Sequence, residues 1–243
     1  MKVAVTFWGT GEYINFLPEW YERLEEYFLP DVEKTYFVFT DGELEGTPEN
    51  ITLMNIPHYG FPETFHKTFE ELLKIKDIVS DYDWLVSVDA DLYAQEEITT
   101  EEFFDDSKKY FGVHHPCHYL KMQPHDRKPG SYDTNPLSNA CINDSIMDMS
   151  IYYQGCLWGG KVPSVFDMME KIDEWTKEDV SKNAVGQFYE ESYLNKWFLT
   201  HREDVNTLAS DYAYPEMFKQ YCEFPNKMMH LHKDNKSLDN NQW

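Results

Sequence analysis

Apolar and polar positions follow two rhythms along this chain. Short apolar runs closed by turn residues recur through the first ninety residues: Val3 to Trp8, Lys34 to Thr40, Ile51 to Ile56 and Trp84 to Leu92. Runs of that length read as strands covered on both faces, as in a mostly parallel sheet. Between them the spacing lengthens to that of a helix. Tyr13 to Phe28 is an aromatic-rich helical segment despite Pro18, and after Pro62 the residues Phe65, Phe69, Leu72 and Val79 share one helical face, with proline suited to a first turn. Strands alternating with helices predict a right-handed, doubly wound α/β sheet.

Farther on, an acidic stretch from Glu96 to Asp106 leads into a strand, Tyr110 to His114. Pro116 to Ser145 shows no period, and a loop of that length in a compact domain is usually functional or mobile. Ser150 to Leu157 reads as another strand, closed by Gly159-Gly160. Pro163 opens a helix with Val165, Met168, Met169, Ile172 and Trp175 on one side, its methionines filling core. A last helix spans Glu190 to Leu199, and the polar tail 234–243 is expected to be mobile. No repeat or linker divides the chain, so one domain over residues 1–243 is expected.

Composition narrows the partners. With 21 Lys and Arg against 44 Asp and Glu, the net charge of -23 repels nucleic acid and anionic membrane surfaces. A small anionic ligand would need a metal or local lysines beside it. Aromatics make up 16% of the chain, more than a core needs, which suits a site that stacks on bases or sugar faces. Cys117, Cys141, Cys156 and Cys222 form no C-x-x-C pair, so reduced thiols in a cytosol are expected. The chain opens directly on a strand, and no run has the apolar length of a signal peptide or membrane anchor; a cytoplasmic, unanchored protein is expected.

The candidate chemistry begins where the central run ends in Asp89 and Asp91. Residues two apart in an extended chain point the same way, toward a cavity past the strand's carboxyl end, where open α/β sheets bind ligands. Paired carboxylates repel unless a cation or protons intervene, and hard ions such as Mn²⁺ or Mg²⁺ bind such pairs together with substrate phosphates. The other reading is an acidic strand end in an acidic protein. On the last helix Glu191 falls on the inner face defined by Leu194 and Phe198, with Asn195 one turn on to hydrogen-bond it, whereas Glu190 is accounted for by the helix dipole. His114-His115-Pro116-Cys117-His118 alternates too much to converge on zinc and offers a polar contact instead. His230-Leu231-His232 with Lys233 and Lys236 reads as a diphosphate clamp or a solvated tail. Gly155 and Cys156 would leave room for a substrate against their strand.

In chain order, Thr10-Gly11-Glu12-Tyr13, Tyr36-Phe37-Val38-Phe39-Thr40-Asp41, Val88-Asp89-Ala90-Asp91, Phe111-Gly112-x-x-His115-Pro116, Tyr152-Tyr153-x-Gly155-x-x-x-Gly159-Gly160 and Glu191-Ser192-x-Leu194-Asn195-Lys196 resemble retaining glycosyltransferase family 6, the family of the histo-blood-group A and B transferases. The resemblance covers nearly the whole chain. It implies a GT-A fold and transfer of galactose or N-acetylgalactosamine from UDP to the 3-hydroxyl of a galactoside, with retention. It further implies that Asp89 and Asp91 bind Mn²⁺, and through it the UDP diphosphate, and that Tyr13, with Trp8 and Thr10, contacts uracil. Gln154, Gly155 and Cys156 match the donor-sugar selector, His115 and Glu190 the groups that hold sugar hydroxyls, and Glu191 the catalytic glutamate. Lys233 would stabilise the departing diphosphate. Phe188 stands where the animal enzymes stack a tryptophan on the acceptor, and their arginine before the metal motif aligns with His66 or Lys67. Many bacterial relatives carry asparagines at the metal positions; this chain keeps both acids, which implies metal dependence. Two other functions remain open on the sequence, a non-catalytic glycan- or nucleotide-binding module and a sugar-nucleotide hydrolase.

Overall fold

Side-chain alternation on the first strands builds two cores, one on each face of a sheet. On β1 (Lys2–Trp8) Val3, Val5 and Phe7 oppose Ala4; on β2 (Glu33–Thr40) Tyr36 and Val38 oppose Phe37 and Phe39; on β4 (Trp84–Val88) Trp84, Val86 and Val88 oppose Leu85. Both sets are buried, so the strands read as unbroken apolar runs. The computed structural model describes residues 1–44, 46–116, 132–148, 150–221 and 226–232. Loop residues 117–131 and the tail 234–243 lie outside them.

With β3 (Ile51–Asn55), β6 (Tyr110–His114), β7 (Tyr153–Lys161) and β8 (Val205–Leu208), the sheet has, among the described residues, seven strands in the order β3-β2-β1-β4-β7-β6-β8. The pairs among β3, β2, β1 and β4 are parallel, as is β6 with β8. β7 runs antiparallel to both of its neighbours. Its first residues therefore lie beside the carboxyl end of β4. One face is covered by α1 (Leu17–Tyr27) and α3 (Thr100–Phe103), which contribute Trp20, Leu24 and Phe103. The other carries α2 (Glu63–Leu72), α4 (Val162–Lys182) and α5 (Tyr189–Thr200), with Phe69, Leu72, Met168, Met169, Ile172 and Phe198. This is a mostly parallel α/β architecture of the GT-A kind. A second sheet sets β10 (Met228–His230) between β5 (Leu92–Ala94), antiparallel, and β9 (Tyr214–Pro215), parallel.

Some local expectations are corrected. The segment from Tyr13 is a 3-10 turn, Gly11–Phe16, before α1 begins at Leu17, which puts Pro18 in a first turn where it removes no helical bond. α2 stops at Leu72; Val79 is buried but off the helix, and Phe65 stacks on Tyr189 at 5.1 Å, half-exposed. Gly159-Gly160 does not close a strand, because β7 runs on to Lys161. Cys141 and Cys156 are free thiols, while Cys117 and Cys222 fall outside the described residues. Among the described residues no helix is long and apolar enough to cross a membrane.

Candidate active site

The chain turns sharply at the end of β4. Asp89 N–H donates to Cys156 O at 2.9 Å, prolonging the β4–β7 ladder, and Leu92 N–H donates back to Asp89 O at 3.0 Å. This turn, rather than extended-chain alternation, gathers the two acids. Trp20 Nε1 also donates to Asp89 O, at 3.1 Å. Asp89 is exposed, whereas Asp91 is 1% exposed. Ligand atoms of Asp89, Asp91 and His230 lie within 4.8 Å of one another. Opposite ligands of an octahedral ion with bonds near 2.1 Å are about 4.2 Å apart, so the three fit a divalent ion after a small contraction. His230 thus joins the carboxylates, whereas His232 N–H donates to Glu216 at 2.9 Å; Lys233 and Lys236 lie outside the described residues.

α5 supplies the second half of the site. Glu191 Oε1 accepts from Tyr152 Oη at 2.6 Å and Oε2 from Gly155 N–H at 2.9 Å. Donors on both oxygens suit a carboxylate. Asn195 bonds main chain instead of that carboxylate: its amide donates to Tyr153 O and Glu191 O and accepts from Tyr153 N–H, each at 2.8 Å. It thereby fastens α5 to β7 through the carbonyl and the N–H of Tyr153. A Cβ on Gly155 would stand 3.3 Å from Glu191 Cβ and 3.5 Å from Oε2, which accounts for a residue without a side chain beside the carboxylate.

Glu190 is a correction. The dipole explanation would leave its carboxyl in water, yet Oε2 is fully buried with no hydrogen-bond partner among the described residues. Tyr189 before it has φ of 48°, in the left-handed region, so the helix opens on an irregular turn. Burial, then repulsion from Asp89 and Glu191, pushes the Glu190 carboxyl well above the usual carboxylate range. Its proton favours folding, a contribution complete below the ordinary carboxyl range and lost as pH climbs through the raised value. Glu190→Gln is therefore expected to raise the melting temperature at pH 8 and to change it little at pH 5, by about 2–4 °C per kilocalorie of penalty removed. Equal shifts at both pH values in scanning calorimetry would refute a buried, titrating acid.

Cys156 ties the two halves together. It is 6% exposed, and burial, with Asp89, Glu191 and Asp91 all close, holds its thiol protonated. Gln154, 4% exposed, donates to Ala213 O at 2.9 Å, and the thiol reaches its Oε1 at 3.8 Å. At the end of β1, Trp8 Nε1 donates to Thr64 at 3.2 Å, Thr10 Oγ1 pairs with His58 Nδ1 at 3.0 Å, and half-buried Tyr13 follows in the 3-10 turn. His115 sits beside Tyr152, with ring centroids 5.9 Å apart. Phe188 is half-buried, its N–H donating to Ser192 Oγ at 2.9 Å. Lys67 bonds Glu70 at 3.3 Å, while His66 turns toward Tyr189 at 6.0 Å. Sequence reasoning missed His58, Tyr152 as the holder of Glu191 and His230 as a neighbour of Asp91. Two of these carried a signal, Tyr152 within the Tyr152-Tyr153-x-Gly155 motif and His230 within a basic cluster.

A model of glycosyltransferase family 6 matches residues 1–240. Similar proteins include the O-antigen biosynthesis glycosyltransferase WbnI of Escherichia coli, 26% identical over 90% of each chain. The globoside alpha-1,3-N-acetylgalactosaminyltransferase 1 of Homo sapiens is 25% identical over 89% of this chain and 62% of its own length. The histo-blood group ABO system transferase 2 of Rattus norvegicus is 22% identical over 94% of this chain and 68% of its own.

Proposed function

Because the chain belongs to glycosyltransferase family 6, we propose that it is a retaining, metal-dependent hexosyltransferase carrying galactose or N-acetylgalactosamine from the UDP-sugar to the 3-hydroxyl of a galactoside, forming an α1,3 linkage. The observation that carries this reading is Glu191, a carboxylate held on both oxygens and near the Asp89, Asp91 turn through Cys156. The similar proteins include one named for alpha-1,3 transfer of N-acetylgalactosamine. Residues 1–243 act as one catalytic domain, and free thiols suit a reducing cytosol.

Breaking the sugar–phosphate bond places positive charge on C1 and negative charge on the departing diphosphate. A divalent ion held by Asp89 and Asp91 would supply Lewis-acid stabilisation of that diphosphate, and Lys233 adds a positive charge. Glu191 faces C1 and stabilises its developing charge, either as a covalent ester or through the field of the carboxylate while the acceptor attacks. Protonated Glu190 donates a hydrogen bond to a sugar hydroxyl. Trp8, Thr10 and Tyr13 line the uracil pocket; Gln154, Gly155 and Cys156 bound the donor sugar, with Lys67 nearby; His115 and Phe188 receive the acceptor.

Calorimetry with UDP, with and without Mn²⁺, followed by a mixed UDP-galactose and UDP-N-acetylgalactosamine pool and galactoside acceptors, tests the proposal. Metal-dependent UDP binding and an acceptor heavier by one sugar are expected in the mass spectrum. Binding without turnover would make this a binding module, and release of free sugar a hydrolase.

A further inference from the structure

We propose that His230 is a third protein ligand of the metal and sets its preference, favouring ions that accept nitrogen, such as Mn²⁺ and Co²⁺, over Mg²⁺. The inference rests on reading Asp89 and Asp91 as a metal site. The placement of His230 is built into the small sheet. β10 pairs antiparallel with β5 so that His230 faces Leu92, the residue after Asp91, and Leu231 N–H donates to Asp91 O at 2.9 Å. Two main-chain links therefore hold the imidazole against the acid, and its Nε2 lies 3.1 Å from Asp91 Oδ2.

An ion pair alone would need only these two residues. Here the exposed Asp89 also brings an oxygen within 4.8 Å of both other ligand atoms, from the opposite end of the β4–β5 turn. The Asp91 side chain is 2% exposed and that of His230 30%, so an ion enters from the Asp89 and His230 side and reaches Asp91 last. Ligand type then sets selectivity. Mg²⁺ binds oxygen and keeps its water, whereas imidazole suits the first-row transition ions, whose affinity for mixed nitrogen and oxygen sites rises from Mn²⁺ to Co²⁺.

The test is pulsed electron paramagnetic resonance of the Mn²⁺-loaded full chain with UDP, which detects nitrogen bound to the ion, together with Mn²⁺ and Mg²⁺ affinities by calorimetry. Nitrogen modulation is expected in the wild-type chain and is lost in His230→Gln, which keeps the strand position. The variant is expected to bind Mn²⁺ at least about tenfold more weakly and Mg²⁺ equally well. Tight Mn²⁺ binding without nitrogen modulation in the wild-type chain, or modulation unchanged in His230→Gln, overturns this inference while leaving the carboxylate site standing. A wild-type chain that binds neither ion, with or without UDP, overturns both.

Discussion

Glu191→Gln is expected to lower the transfer rate by about 10³-fold, the upper range for removing a preorganised charge from a transition state, while the affinity for UDP with Mn²⁺ stays unchanged. The substitution is clean because of the two donors around the carboxylate. A glutamine can turn its carbonyl to Gly155 N–H and its amide to Tyr152 Oη, since a hydroxyl accepts as well as donates. Packing and both contacts survive, and the negative charge alone is removed. Single-turnover kinetics with the true donor, beside calorimetry with UDP, separates the effects. Transfer at the wild-type rate would remove Glu191 from the mechanism, and a parallel loss of UDP affinity would make it a structural support of the pocket.

The second large effect concerns the sheet. Gly159→Ala is expected to destabilise the fold by more than about 3 kcal/mol, beyond the common range for overpacking. A Cβ there would lie 2.1 Å from Leu85 O on β4 and 2.6 Å from the Phe111 ring on β6. The carbonyl belongs to a central strand and cannot yield, so β7 would have to part from a neighbour. Because β7 joins the parallel half of the sheet to β6 and β8 and carries Gln154, Gly155 and Cys156, the site should loosen with it. Gly60→Ala is the control: among the described residues nothing lies within 4 Å of its Cβ, and its φ is not in the left-handed region, so a change within about 0.5 kcal/mol is expected. Urea denaturation of both variants gives the comparison, and a stable Gly159→Ala chain would show that β7 does not pack as described.

Much of the candidate site was legible because its residues are near one another in sequence. Asp89 and Asp91 share one turn, and Glu191 announced itself as an acid on an apolar helical face. The dipole reading failed for Glu190, because it places a first-turn acid in water, whereas the helix opens on the left-handed Tyr189 and Glu190 Oε2 is buried. Gly159-Gly160 read as a strand end because glycine disfavours isolated strands. Inside a sheet the close approach of Leu85 O and Lys109 O makes its missing side chain a requirement.

Residue order alone was enough for the alternation of strands and helices, the doubly wound class and the family motifs, since periodicity and short spacings are properties of neighbouring residues. Folding was needed to bring His230 to Asp91 across 139 positions, to set Tyr152 on Glu191 and to lay β7 antiparallel beside β4. Those are contacts between distant segments, governed by strand register and by the burial of both sheet faces, and no local pattern encodes them.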